Sequence, residues 1–88
     1  MIIHVKFIAV TGRADNPTIE RYCYDHTKIM EWYETGDGTF KTVLRTEATT
    51  EFDVQRKAKY QADRLSSGLY GAQVFDSFSD AMNHLTFV

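Results

Sequence analysis

Cys23-Tyr24-Asp25-His26 sets a thiol and an imidazole at the Cys-x-x-His gap, a spacing at which these side chains often share a zinc ion. A closed structural site needs four ligands, and only His4 and His84 remain as further thiolate or imidazole candidates, each remote in sequence. The expectation is no metal, with Cys23 a buried free cysteine beside a histidine at a strand end. The same two residues could pose as nucleophile and base. On a strand, however, positions 23 and 26 face opposite ways, and such a pair must come within hydrogen-bond reach. Cys23 with Asp25, and His84 with Asp80 one helical turn earlier, can also be drawn, but neither comes with an orienting third group. A small enzyme with an unrecognised site is therefore the third-ranked reading, and no cofactor or small-molecule substrate is inferred.

Gly36-Asp37-Gly38 lacks the longer glycine spacing and the following helix that aim backbone N–H groups at a phosphate. It reads as a hairpin turn. Arg56, Lys57, Lys59 and Arg64 cluster on a helical segment, yet Glu51, Asp53 and Asp63 nearly cancel them. That pattern describes a solvated helix face with pairs such as Asp53/Lys57 and Lys59/Asp63.

The more informative feature is a row of tyrosines. Alternation puts Tyr22, Tyr24 and Tyr33 opposite Cys23, beside the basic side chains of Lys41 and Arg45. Aromatics on an open sheet with basic neighbours can stack and neutralise single-stranded nucleic acid. Glu20 and Glu31 share that face, however, and a sequence pI near 5.8 opposes phosphate binding. Tyrosine also combines an apolar ring with a polar tip, which is the composition of a protein interface and needs no net positive charge. With the apolar stretch Phe87-Val88, this makes a non-enzymatic protein–protein interaction module the leading reading. In it Tyr22, Tyr24, Tyr33, Lys41 and Arg45 bind a protein partner or a second copy of the chain as a homodimer. A small regulator or inhibitor of a larger complex, of phage or mobile-element type, fits this reading; nucleic-acid binding is second. The bland alternative is that the tyrosines simply complete a small core.

The elements that must position these residues come from periodicity. Ile3, Val5, Phe7 and Ala9 alternate with Ile2, His4, Lys6, Ile8 and Val10, a period-2 strand with one wholly apolar side and a second partly apolar one. Such a strand belongs inside a sheet. Gly12 to Pro17 is rich in turn formers and reads as a loop. Thr18 to Asp25 is dense in β-branched and aromatic residues and reads as a second strand, followed by Lys28 to Glu34 and Thr39 to Glu47 as a hairpin. The turn permits two registers: a two-residue Asp37-Gly38 loop pairs Glu34 with Lys41 and Lys28 with Glu47, whereas the favoured three-residue loop pairs Met30 with Leu44 and Trp32 with Thr42. The three-residue loop gathers Met30, Trp32, Phe40 and Leu44 on one face, leaving Glu31, Tyr33, Lys41, Val43 and Arg45 on the other.

From Thr50 the period changes. Val54, Ala58, Ala62, Leu65 and Leu69 form the apolar stripe of an amphipathic helix over Thr50 to Ser67, with Thr50 and Asp53 resembling a capping box and Gly68 suited to end it. Tyr70 to Asp76 supplies a last strand, and Ser77 with Asp80 begins a short helix carrying Phe78, Ala81, Met82 and Leu85. There is no internal repeat or linker. The expected fold is a single α+β domain over residues 1–88, with a mainly antiparallel four- to five-stranded sheet packed against one main helix. Its order is β-β-β-β-α-β-(short α), and the last helix lies at an edge.

Composition agrees with one folded core. A chain of 88 residues with 43% hydrophobic, 14% aromatic and 25% charged side chains lies far from the disordered regime and too short for a second core. The net charge of −2 is evenly spread, with six basic against seven acidic residues in 1–47 and four against five in 48–88. Neither half is a nucleic-acid arm. One cysteine excludes an internal disulfide and suggests a reducing, cytoplasmic setting. The stretch Met1 to Val10, interrupted by His4 and Lys6, is read as neither a signal peptide nor a membrane span.

Overall fold

The computed structural model describes residues 1–13, 17, 19, 21, 29–34, 38–66 and 71–86, and for 29–34 it describes the backbone. The double-sided apolar strand, β1 (His4–Arg13), is interior as expected. It pairs antiparallel with β3 (Thr39–Ala48) along its whole length and, on its other side, with β4 (Ala72–Phe75). β2 (Ile29–Glu34) lies beyond β3, so the sheet order is β2-β3-β1-β4. Among the described elements, two helices, α1 (Glu51–Leu65) and α2 (Phe78–Thr86), complete an α+β fold. None of the described helices is long and apolar enough to cross a membrane.

Strand alternation builds two separate cores, one on each side of the sheet, which corrects the expectation that the chain is too short for a second one. Ile8 and Val10 of β1 with Phe40 and Leu44 of β3 face α1, whose Ala58, Ala62 and Leu65 pack onto them. The opposite face carries Ala9 and Val43, covered by Ala81 and Leu85 of α2 and flanked by Phe7, Phe75, Phe78 and Met82. The rings of Phe7 and Phe78 meet edge to face at a centroid separation of 6.0 Å.

The stripe Val54, Ala58, Ala62, Leu65 is buried as its spacing implies. Thr50 Oγ1 accepts from the Asp53 amide at 3.1 Å, meeting one of the donors that a helix start leaves unpaired. The helix ends at Leu65, where the Ser66 amide donates to the Ala62 carbonyl at 2.9 Å; Gly68 and Leu69 lie outside the described residues. α2 is capped in the same way, with Ser77 Oγ accepting from the Asp80 amide at 3.1 Å.

Four further expectations are corrected. Gly12 and Arg13 extend β1, facing Phe40 and Thr39, rather than opening a loop. Pro17, Ile19 and Arg21 have helical backbone, so the strand expected over Thr18 to Asp25 does not run through Ile19 and Arg21; residues 22–28 lie outside the described set. Proline suits a first helical turn, and Ile19 buries itself against the first core, a packing preference that overrides local β propensity. The described order is thus β-β-β-α-β-α. The hairpin does pair Trp32 with Thr42, but the register shifts between Ile29 and Glu31, so Ile29 rather than Met30 faces Leu44. Gly38, with φ of +88°, supplies the left-handed residue that the turn requires. Finally, α2 does not sit at an edge. It lies across the second face, because Ala9 and Val43 form an apolar floor there that needs cover.

Candidate functional site

Tyr33 and Lys41 are cross-strand partners in the hairpin, and Lys41, Val43 and Arg45 share the face opposite α1, in keeping with the expected grouping. That face is not an open platform. α2 occupies it at Val43, and the half-buried Lys41 reaches up to donate from Nζ to the Leu85 carbonyl at 3.0 Å. Carbonyls of a last helical turn have no partner within the helix, and a cation there also meets the negative end of the helix dipole. Lys41 thus fastens α2 to β3. Arg45 is exposed and ion-pairs with Glu47 two residues on. Tyr22 and Tyr24 lie outside the described residues, as do Cys23, Asp25 and His26. His84 packs its ring against Phe75 at 5.2 Å. Among the described residues, no three His, Cys, Asp or Glu side chains gather where they could hold a metal ion.

Among the described residues, the aromatic surface that stands in solvent is on α1. Phe52 is 73% exposed and Tyr60 59%, values that set them apart from the half-buried or buried rings of Phe7, Phe40, Phe75 and Phe78. With Arg56 and Arg64 they recur every fourth residue, which places all four along one side of the helix away from the sheet. The row is organised. Arg64 stacks its guanidinium over the Tyr60 ring, 5.8 Å from the centroid, and donates from Nη1 to the Tyr60 hydroxyl at 3.3 Å. Arg56 donates to Asp53 Oδ1 at 3.4 Å. Chemically, the row offers two apolar rings and two planar cations, and it contains no nucleophile–base pair.

Reading the charges on α1 as a solvated face overlooked these rings. The available signal was Phe52, a large apolar residue at a helix start that falls off the buried stripe, repeated eight residues later by Tyr60. No family model, curated protein or solved structure matches the chain.

Proposed function

We propose that this chain works by docking to another protein through the outward face of α1, with Phe52 and Tyr60 as apolar anchors and Arg56 and Arg64 beside them. The observation that carries the reading is the exposure of two large rings on one side of a capped helix. Leaving a phenylalanine in water forgoes about 1.5–3 kcal/mol of burial, and that free energy becomes available to a partner that covers it. Aromatic and arginine side chains are the types that dominate interface energetics, and Arg64 is already held against Tyr60, which reduces the ordering cost on binding. A near-balanced charge supports a protein partner over a polyphosphate. The single cysteine supports a cytoplasmic setting.

Capture from source lysate on immobilised chain tests this reading. Phe52→Ala and Tyr60→Ala should each strip a specifically retained protein, while Arg45→Ala on the sheet side should retain it. Equal retention by all three variants would contradict the reading.

A further inference from the structure

Among the described residues, the two edges of the sheet differ in kind. β2 carries Glu31 and Glu34 and shifts register against β3, and charges and bulges are the devices by which an edge strand resists pairing. β4, Ala72-Gln73-Val74-Phe75, has no charge, proline or register shift. The Thr11 amide donates to the Gly71 carbonyl at 3.1 Å, so in the antiparallel alternation Gly71, Gln73 and Phe75 turn their backbone groups toward β1. Those of Ala72 and Val74 therefore point out of the sheet. Ala72 and Val74 pack against the first core and Phe75 against the second, yet all three are only half-buried. Both apolar layers thus run out into partly exposed surface along this one edge.

We propose that β4 is a self-association surface, on which a second copy of the chain adds its own β4 antiparallel about a two-fold axis at Gln73. The outward backbone groups at Ala72 and Val74, which meet no strand among the described residues, suit an added antiparallel strand, and a copy of β4 centred on Gln73 presents the same two positions in register. With Gln73 on the axis, Ala72 of each copy faces Val74 of the other, and these are the residues whose N–H and C=O groups point outward. Each such pair exchanges both of its hydrogen bonds, and one sheet runs through both copies. Directly opposed residues share a face, so Ala72 and Val74 cover each other over the first core. Uncharged strands meet without repulsion. This surface is separate from the row on α1, and the inference stands whether or not that row docks a partner.

Light scattering and amide exchange, both followed against concentration, test the proposal. A dimer should appear as concentration rises, with the Ala72 and Val74 amides gaining protection, while those of Gln73 and Phe75, already bonded to β1, stay unchanged. Ala72→Pro removes an outward donor and no bond to β1. It should raise the dimer dissociation constant roughly five- to a hundred-fold, the worth of two symmetry-related hydrogen bonds. Gln73 is exposed and tolerates charge, so Gln73→Lys and Gln73→Glu keep the test alive if the proline variant fails to fold. Each should weaken its own homodimer about two- to five-fold through like charges on the axis, and a mixture of the two should recover a heterodimer. A chain that stays monomeric to roughly 1 mM would overturn the proposal. So would a dimer in which the Ala72 and Val74 amides exchange as in the monomer, or a lysine–glutamate mixture that recovers nothing.

Discussion

A Cβ placed on Gly12 would lie 2.6 Å from Cδ1 and 2.9 Å from Cγ2 of Ile19, with Phe40 Cζ at 3.1 Å. Gly12 is therefore the notch in β1 that lets Ile19 reach full burial on the first core. Gly12→Ala must push Ile19 as a whole, and overpacking of this kind costs about 1–3 kcal/mol. Chemical denaturation of Gly12→Ala, Ile19→Ala and the double variant forms the test. The alanine at position 12 should cost markedly less once Ile19 is truncated, and strictly additive losses would place Ile19 elsewhere.

Leu65 is 1% exposed at the end of the α1 stripe. Leu65→Ala should lower stability by about 2–5 kcal/mol in denaturant melts. A loss below about 0.5 kcal/mol, typical of a surface site, would mean that α1 presents a different face to the sheet.

Lys41 and Arg45 share a face and a charge but not a role. Lys41→Met removes the charge-assisted bond to the Leu85 carbonyl and should cost about 1.5–3 kcal/mol, loosening α2 first. Arg45→Ala, at an exposed ion pair, should cost under about 1 kcal/mol. Thermal melts that ranked the two the other way round would remove Lys41 from its place under the helix.

The caps offer a matched pair. Thr50→Ala and Ser77→Ala each delete a side-chain acceptor from a helix start and should each cost about 0.5–2 kcal/mol. Glycine at either position should recover most of the loss, since it is itself a tolerated cap. Circular dichroism melts on the four variants suffice.

These relationships differ in how far the sequence alone discloses them. The α1 stripe, the interior place of β1 and the Ser77 cap follow from periods and short motifs that act over a few residues, and the structure shows each of them. The helical backbone at Pro17, Ile19 and Arg21 follows instead from a contact between Ile19 and the distant Phe40 and Gly12, which local propensity does not carry. The place of α2 is hidden from local sequence for a related reason. Its apolar residues were evident, but which surface they cover depends on Ala9 and Val43 lying side by side, a register property of β1 and β3. Once α2 takes that face, Lys41 becomes a helix tether rather than an open cation. The exposed row on α1 is masked in the sequence, because the charges around Phe52 and Tyr60 by themselves account for a solvated side of the helix.

Titration of the captured partner against the purified chain tests the docking face most directly, by calorimetry at two salt concentrations with wild type, Phe52→Ala, Tyr60→Ala and Arg45→Ala, each first shown to be folded. Phe52→Ala and Tyr60→Ala should each weaken binding by at least about 1–2 kcal/mol, Arg45→Ala by less than about 0.5 kcal/mol, and salt should change affinity only modestly. Full affinity in both aromatic variants, or an affinity that collapses with salt in step with lost phosphate contacts, would contradict a protein-docking face on α1.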